Sequence, residues 1–444
     1  MTKVLEMRAQ PPSADWPRVI SAACLVLAAW LAALPAAAAA TPPVAAAAAV
    51  AAVADASPLD SRCPTGSLVD APLRDAALAA LDRLVVRAPG RAAHGAIRTH
   101  HSAGHVDPSG QAWHRVSAYP ANLGLIGALR VDKSLLPVVA DWLRWQTRQI
   151  ALVGPVRGVV RDQWVRQGDV EQAMCPPGLA AALCGQVDAY DSTAASLLLL
   201  ARAYAQQGGD PALLRQRDMQ RALEAAAQVL ADMGRPDGLT WAKPDHPVAY
   251  LMDAVESDAG WRAWAGLQRE VYGRAAAGEQ AVLAARRVQA GVQAKLWDSE
   301  AGFWRVSADG PPLRFERWYP DTVAQAWPLL WSGGTDTLGF ERARSAWRGV
   351  ARLWQGEADW ARRNVDPDGF WWPAVAVAAH CVGDDTSARV WVARARARWM
   401  LPTSPFAWPF QVSDLLWLLW LADPKPVPNP GLSSAVVSPL SSTL

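Results

Sequence analysis

Apolar residues recur with a period of about 3.6 through most of the chain between residues 72 and 424, which is the spacing of helices with one buried face. Strand-like alternation is confined to two short stretches, Gly158–Val165 and Phe303–Phe315, and the second has Ser307–Gly310 at the predicted tip of a hairpin. The pattern predicts twelve helices, over residues 72–88, 119–131, 135–150, 192–208, 211–233, 255–273, 275–297, 321–333, 339–355, 371–383, 385–400 and 413–423.

The connections between these helices alternate in length. Short loops with glycine at the helix ends join the members of a pair, and long loops separate the pairs. This pattern predicts an all-α fold, an (α/α)6 toroid of six helical hairpins with short β-hairpin insertions. An open helical solenoid would give a similar pattern, but the sequence has no clear internal repeat. We expect the more apolar, arginine-poor helices to form the inner ring, namely those near residues 119, 192, 255, 321, 371 and 413.

The two ends of the chain differ from this pattern. Residues 1–40 combine a charged start, an apolar run and a small-residue exit, which predicts a signal peptide or an N-terminal membrane anchor. Residues 41–60 are an Ala/Pro-rich linker, and residues 425–444 are predicted to be a disordered Pro/Ser-rich tail. The barrel domain is left with residues 61–424. We expect a periplasmic or secreted protein, anchored in the inner membrane if the leader is retained.

Cysteine usage is consistent with export. Cys24 lies in the leader, and an even number of cysteines remains, Cys63, Cys175, Cys184 and Cys381. Cys175 and Cys184 enclose a short loop and could pair, which would leave Cys63 for Cys381, but spacing alone does not fix the connectivity. No histidine lies at zinc-ligand spacing from these cysteines, and the histidine cluster of the first long loop has no acidic partner at helical spacing. We therefore expect neither a metal nor another cofactor.

Charge and aromatic content narrow the class of partner. The net charge is +2 with both signs interspersed, so a nucleic-acid partner is not expected. The chain has 24 Trp against 6 Tyr and 6 Phe. Many of these Trp residues fit helix packing, but an indole is also a flat surface on which the apolar face of a sugar ring can stack. A carbohydrate is the expected partner, and we expect the protein to be a monomer that contacts a membrane only through an uncleaved N-terminal segment.

Acidic and aromatic residues are unevenly placed along the barrel. The long loops, which lead into the inner helices, carry most of the aromatic and acidic residues outside the helices, and the short loops carry almost no aromatics. In a barrel of hairpins all the long loops open at the same end, where the helix N-termini also present free N–H groups. The sequence therefore predicts a cleft at that end.

Three of these segments resemble the six-hairpin glycosidase superfamily, whose fold is the (α/α)6 barrel. They are VDAYDSTAASLLLLARAY at 187–204, LTWAKPDHPVAYLMDAVESDAGWRAW at 239–264 and RWYPDTVAQAWPLLWSG at 317–333. The resemblance covers most of the domain but does not select one glycosidase family. It implies hydrolysis, or sometimes eliminative cleavage, of glycosidic bonds in a cleft with carboxylates at its floor.

Glycoside hydrolysis uses one carboxylic acid to protonate the leaving oxygen and a second carboxylate to activate water or attack the sugar. Glu256 is the preferred acid, because burial near the start of an inner helix would raise its pKa. Asp191 is the preferred base, with Asp188, Asp258 and Asp321 as alternates. Asp191 and Asp321 also fit helix N-caps, and Glu256 also fits the first turn of a helix.

The remaining candidates are groups that would bind the substrate: Tyr190, Trp241, Asp253, Trp318, Tyr319, Trp371, Trp372 and Trp408. The preferred function is a glycoside hydrolase that cleaves a poly- or oligosaccharide in a cleft lined by Trp and carboxylates, by general acid/base catalysis. Two alternatives stay open. One is a non-catalytic glycan-binding component of exopolysaccharide processing or export. The other is a sugar isomerase on the same barrel, for which His246 would be the base.

Overall fold

The computed structural model describes residues 62–424, apart from 155–156, 169–170, 332–336, 356–359, 363–365 and 367–368. The predicted leader, linker and C-terminal tail lie outside these described residues. Within them, none of the helices has both the length and the apolar character needed to cross a membrane.

The described residues form the predicted twelve helices. Their bounds are α1 Ala71–Leu84, α2 Ala118–Val131, α3 Leu136–Gln149, α4 Tyr190–Gln206, α5 Arg217–Asp232, α6 Leu251–Gly266, α7 Ala275–Gly291, α8 Trp327–Leu330, α9 Thr337–Gln355, α10 Pro373–Cys381, α11 Asp385–Trp399 and α12 Leu415–Trp420. Shorter helical segments extend or connect them: Lys133–Leu135, Ala181–Leu183, Pro211–Arg215, Leu267–Val271, Val292–Leu296, Trp318–Thr322, Val323–Ala326 and Val412–Asp414.

The even-numbered helices form a closed inner ring. Each packs against the next, from α2 through α4, α6, α8 and α10 to α12, and α12 packs back against α2. This closure confirms the toroid and excludes the open solenoid. Its last contact is close: a Cβ on Gly124 of α2 would lie 2.2 Å from the carbonyl oxygen of Val412, and one on Gly127 would lie 2.5 Å from the Cα of Leu416. Glycine at both positions therefore lets α2 and α12 approach.

The two rings differ in how much of each helix is buried. In the inner helix α2, twelve of 14 residues are buried, whereas five of 15 are buried in the arginine-rich outer helix α11. An outer helix needs only one apolar stripe, while an inner helix is covered by neighbours on several sides. The first outer helix is fixed to the last inner one, because Val69 N donates a 2.8 Å hydrogen bond to the carbonyl of Leu421 just before α1 begins.

The strands lie in the long loops. β1 His105–Val106, β2 Ala112–Val116, β3 Gln163–Arg166 and β4 Gln172–Ala173 form an antiparallel sheet in that order, and β5 Trp297–Asp298 pairs with β6 Phe303–Trp304. The first predicted stretch overlaps β3. The predicted hairpin tip at 307–310 was wrong, because the chain already turns between β5 and β6. There Asp298 Oδ1 accepts hydrogen bonds from the backbone N–H groups of Glu300 and Ala301.

Two disulfides settle the cysteine pairing that spacing alone left open. Cys63, before α1, is joined to Cys381 at the end of α10. Cys175 is joined to Cys184, which closes the loop between β4 and α4.

Candidate active site

The N-terminal ends of the inner helices meet at one end of the barrel. Tyr119, in the first turn of α2, reaches Glu256 in α6. Tyr319, which precedes α8, stacks on Trp372 at the start of α10 with ring centroids 4.7 Å apart and an interplanar angle of 11°. The long loops that lead into these helices therefore surround a common cleft.

Glu256 lies at the floor of this cleft and is 2% exposed. Its Oε1 accepts a 2.7 Å hydrogen bond from the hydroxyl of Tyr119 and a 2.8 Å hydrogen bond from the indole N–H of Trp327. Burial raises the pKa of Glu256 to about 8; the two hydrogen bonds oppose this, and the nearby charges of Asp191 and Asp188 add to it. Glu256 therefore keeps its proton at neutral pH.

Asp253 lies one turn before Glu256, and the i,i+3 spacing places both carboxyl groups on the same side of α6. It is half-buried, and none of the described residues donates a hydrogen bond to its carboxyl oxygens. Burial raises the pKa of Asp253 well above its usual value, the charges of Asp191, Glu256 and Asp188 raise it further, and Lys243 opposes them. Burial and these acidic neighbours therefore favour the neutral form of Asp253, and its oxygens are free to meet a ligand.

Asp188 is the exposed carboxyl group of the site, two residues before α4 begins. Its backbone position is fixed by the preceding residues, since Asp162 N donates a 2.8 Å hydrogen bond to the carbonyl of Gln186. Its negative charge contributes to the raised pKa values of six surrounding groups, Tyr119, Asp162, Asp191, Asp253, Glu256 and Tyr319. Asp188 thus occupies a central position among the acids of the cleft.

Asp191, the preferred base from the sequence, is completely buried in the first turn of α4. Oδ2 accepts a 2.6 Å hydrogen bond from the hydroxyl of Thr240, and Oδ1 accepts a 2.8 Å hydrogen bond from Ser192 N. Burial raises the pKa of Asp191 to about 6 against these hydrogen bonds. Both oxygens are engaged inside the protein, so the structure gives Asp191 a supporting position rather than access to water.

Asp258 is not brought into the cleft. Five residues separate it from Asp253, which in a helix places the two side chains on nearly opposite faces. Asp258 instead forms an ion pair with Arg262 at 2.8 Å, and the same guanidinium donates to the carbonyl oxygen of Trp331 at 2.7 Å. Asp258 therefore has a structural role in α6, and the prediction that it is an alternate catalytic base was wrong.

Asp321 also has a structural position. Its carboxyl oxygens accept hydrogen bonds from the backbone N–H of Arg317 at 3.2 Å and from the guanidinium of Arg317 at 3.3 Å. These bonds close the turn that contains the cis Tyr319–Pro320 peptide bond. Asp321 holds this turn, which positions Tyr319, so it does not belong with the cleft acids.

Three of the predicted substrate-binding residues have exposed or half-buried rings near the cleft. Tyr319 is 45% exposed, and burial of its hydroxyl together with the charges of Asp188, Asp253 and Glu256 raises its pKa. Trp372, half-buried, stacks on it, and Trp408 is 48% exposed.

Tyr190, a fourth candidate, is half-buried at the start of α4. Burial raises the pKa of its phenol, with Arg161 and Asp245 as its charged neighbours, so it lies toward the edge formed by the second and third long loops.

The other three Trp candidates serve different purposes. Trp318 is buried and contacts Trp354 edge to face, so it belongs to the core. Trp371 packs edge to face on Trp391, 6.2 Å between centroids. Trp241 lines a shallow surface pocket together with Arg235, Pro236, Asp237, Pro247 and Asp309. Helical periodicity cannot show which of these Trp residues pack in the protein and which, like Trp372, border the cleft, because each lies in a loop or at the start of a helix.

Four residues of the site were not among the predicted site residues: Tyr119, Trp327, Thr240 and Lys243. Tyr119 was detectable, since it falls in the first turn of an inner helix, as Glu256 does. Trp327 lies within a helix, where periodicity alone predicts packing, yet its N–H donates a hydrogen bond to Glu256 at the cleft floor. Nothing in the sequence marks Thr240, whose hydroxyl donates a hydrogen bond to Asp191, or Lys243, whose charge lowers the pKa of Asp253.

The arrangement combines an exposed carboxyl group, Asp188, with a half-buried one, Asp253, whose pKa burial raises and whose oxygens accept no hydrogen bond from the described residues. Asp188 can accept a proton from water, and Asp253 can donate a proton to a leaving oxygen. Glycoside hydrolysis needs a base and an acid in these two roles. Among the described residues, no group of three His, Cys, Asp or Glu side chains is placed to hold a metal ion.

No family model matches the sequence, and no curated protein matches it. Among solved structures, the chain is similar to the GH63 mannosylglycerate hydrolase from Thermus thermophilus in complex with Tris and D-glycerate, with 18% identity, a TM-score of 0.50, and coverage of 79% of this chain and 100% of that one. An alpha-amylase from Clostridium perfringens matches with 10% identity, a TM-score of 0.48 and coverage of 81% and 99%. A reducing-end-xylose releasing exo-oligoxylanase complexed with xylobiose matches with 12% identity, a TM-score of 0.46 and coverage of 80% and 93%.

At such low identity a similarity shows the fold alone. The chain shares a helical toroid fold with the mannosylglycerate hydrolase, and its closed ring of inner helices agrees with the toroid predicted from the sequence.

Proposed function

We propose that the protein is a glycoside hydrolase in which Asp253 is the general acid and Asp188 is the general base. This pair replaces Glu256 and Asp191, because Glu256 Oε1 is held by two internal hydrogen bonds and both oxygens of Asp191 are engaged. In the proposed reaction, Asp253 gives its proton to the glycosidic oxygen as the bond to the anomeric carbon breaks. Asp188 takes a proton from the water whose oxygen bonds to that carbon.

One observation carries this proposal: the half-buried carboxyl group of Asp253 accepts no hydrogen bond from the described residues, although it lies among Asp191, Glu256 and Asp188. Its carboxyl oxygens are not among the buried atoms that lack a partner, so they are open to a ligand or water. Because burial and the neighbouring acids favour its neutral form, the group is suited to donate a proton.

The same fold hosts many chemistries, so the fold adds support without deciding the reaction. The solved structure that matches with a TM-score of 0.50 carries the name of a mannosylglycerate hydrolase, which is a glycosidase.

We also propose that the protein acts outside the cytoplasm, in the periplasm or after secretion. Two disulfides support this, because such bonds persist mainly in oxidising compartments. One of them, Cys63–Cys381, ties the segment before α1 to the end of α10, as expected of a structural bridge.

The test is a screen of the full-length protein against a panel of polysaccharides and oligosaccharides, with product masses measured. Hydrolysis adds one water per bond cleaved, elimination adds none and leaves an unsaturated sugar, and isomerisation changes no mass. The wild type is compared with Asp253→Asn and Asp188→Asn, and with Asp258→Asn as a matched control at an ion-paired position of α6. We expect hydrolysis that falls by about 10²-fold or more in the first two variants and persists in the control.

Binding without turnover of any glycan by the wild type would contradict the proposal and favour the glycan-binding component. Turnover that survives Asp253→Asn would contradict the assignment of the acid. Interconversion of reducing sugars, lost on substitution of His246, would favour the isomerase.

A further inference from the structure

Five aromatic rings form a continuous row that starts beside the acids of the cleft. Tyr319 stacks on Trp372 at 4.7 Å, Trp372 contacts Phe370 at 6.1 Å, Phe370 contacts Trp408 at 5.4 Å, and Trp408 contacts His100 at 5.1 Å. We call these five residues the aromatic row. They come from four different long loops, so the fold assembles them from distant parts of the chain.

The row is open to solvent. Tyr319 and Trp408 are 45% and 48% exposed, and the other three rings are half-buried. By contrast, the neighbouring cluster of Trp399, Phe406 and Phe410 is fully buried. Large aromatic side chains that stay exposed and in mutual contact mark a binding surface.

The row is also fixed in place. The indole N–H of Trp372 donates a 2.7 Å hydrogen bond to Oδ2 of Asp366, and Trp372 has a left-handed backbone with φ of 50°. A non-glycine residue in that conformation carries strain, which proteins retain mainly where a side chain must be aimed. A prepositioned ring loses little conformational entropy when a ligand stacks on it.

One end of the row lies at the reaction centre. Trp372, on which Tyr319 stacks, also contacts Trp327 edge to face with ring centroids 6.4 Å apart, and the indole N–H of Trp327 donates a hydrogen bond to Glu256 Oε1. This end of the row therefore borders the candidate acids. Burial raises the pKa of the Tyr319 phenol, and the carboxylate forms of Asp188, Asp253 and Glu256 raise it further. The other end, at His100, is reached from Tyr319 through four ring contacts. Burial lowers the pKa of His100, so its imidazole is neutral at neutral pH and is a flat ring like the others.

We propose that the aromatic row binds successive sugar units of an extended glycan, so that the substrate is a chain of several units rather than a disaccharide. Stacked rings recognise the apolar C–H faces of sugars, and a row of them holds consecutive units of one chain. The position of the cleaved bond beside Tyr319 rests on the proposed function. The binding of the glycan along the row does not depend on it.

The test uses Trp408→Ala, which removes an exposed ring far from the acids. Trp241→Ala is the matched control, because Trp241 is a half-buried Trp that lines a separate pocket. Each substitution is made in the Asp253→Asn background, which prevents turnover. Calorimetry then measures the Kd for dimers and hexamers of the panel sugars (cello-, xylo-, manno- and malto-oligosaccharides). We expect one series to bind more tightly as the hexamer, and Trp408→Ala to weaken that hexamer about two- to ten-fold, with the dimer and the control unchanged.

Trp408→Phe, which keeps a ring at this position, should restore part of the affinity for the hexamer. Two results would overturn the proposal that the aromatic row binds successive sugar units: a hexamer that binds no more tightly than its dimer, or a hexamer that binds Trp408→Ala as tightly as the parent variant. Neither result would contradict hydrolysis by Asp253 and Asp188. If instead the wild type turns over no glycan, but Trp408→Ala weakens hexamer binding, the proposed function fails and the row stands.

Discussion

The hydroxyl of Thr240 donates a 2.6 Å hydrogen bond to Oδ2 of Asp191, and this bond joins two segments that carry the site. Asp191 starts α4, just after Asp188, and Thr240 lies in the loop that leads to α6 and Asp253. A second bond runs beside it, from Tyr190 N to the carbonyl of Ala242 at 2.6 Å. Asp191 therefore holds the loop of the proposed base against the loop of the proposed acid.

Replacing Thr240 by Val should destabilise the fold in a pH-dependent way. The change keeps the shape but leaves the buried carboxylate of Asp191 without its donor, at a cost of about 1–3 kcal/mol. Burial gives Asp191 a pKa of about 6, so at pH 5 the group is protonated and needs the donor less. The loss in free energy of unfolding should be larger at pH 7.5 than at pH 5. Denaturant titration at both pH values measures it.

Thr147→Val is the matched control, because the Thr147 hydroxyl donates to Leu143 O within the outer helix α3. It should show no dependence on pH. An equal loss at both pH values in Thr240→Val would count against an ionised Asp191 as the acceptor.

Lys243 should set the upper pH limit of the reaction. Its positive charge favours the carboxylate form of Asp253 and so lowers the pKa of the proposed acid. In Lys243→Gln that pKa rises, Asp253 keeps its proton to a higher pH, and the alkaline limb of kcat/KM moves upward. The pH profile of kcat/KM measures the shift.

Lys133→Gln, in the short connection between α2 and α3, serves as the control for a lost charge. A limb that moves downward, or that moves equally in both variants, would show that Asp253 is not the group that titrates there.

Glu256 should make the wild type less stable as the pH rises. Its pKa is about 8 in the fold and near 4.5 in an unfolded chain, so between these values the folded state holds the additional proton. Stability is therefore fully present below about pH 4.5 and falls up to pH 8, with a slope approaching about 1.4 kcal/mol per pH unit from this group. Glu256→Gln still offers an oxygen to Tyr119 and Trp327, but it cannot ionise. The variant should exceed the wild type in free energy of unfolding at pH 8 and match it more closely at pH 5.

Glu279→Gln, on the exposed face of α7, should change neither value. Burial also raises the pKa of Asp414 to about 7, so this group too makes the free energy of unfolding fall as the pH rises. Glu256→Gln should therefore reduce the pH dependence of the free energy of unfolding without abolishing it. A wild type that grows more stable between pH 5 and 8 would contradict the protonated state of both carboxyl groups.

The sequence predicted the helices better than it predicted the acids, and the reason is physical. Helix formation depends on periodic burial, which a single chain displays directly, so the bounds of α2 and α11 lie close to those predicted. The role of an acid depends on which atoms of other segments reach it. Asp191 and Asp188 are three residues apart, but Asp191 is buried and accepts hydrogen bonds from Thr240 and Ser192 N, while Asp188 is exposed.

The strands and the aromatic row show the same limit. β2 is five residues long and pairs with β3 about fifty residues later in the chain, so neither segment alone displays the sheet. Trp318 and Trp372 both precede an inner helix, α8 and α10, yet Trp318 is buried against Trp354 and Trp372 stacks on the exposed Tyr319. Composition could predict that some Trp residues bind a sugar, but not which ones.

The two disulfides should separate stability from activity. Cys63–Cys381 closes a loop of more than three hundred residues, so its loss should cost roughly 3–5 kcal/mol of stability. Cys175–Cys184 closes a sequence separation of only nine, so its loss should cost less. It does, however, constrain the loop that ends at Gln186 and Asp188.

The double variant Cys175→Ser with Cys184→Ser should keep most of the stability and lose turnover, through a lower kcat. Cys63→Ser with Cys381→Ser should melt at a lower temperature and keep its kcat below that temperature. Thermal melts and initial rates on the same preparations test both statements, and a reversal of the two patterns would mean that the loop before α4 does not position the base.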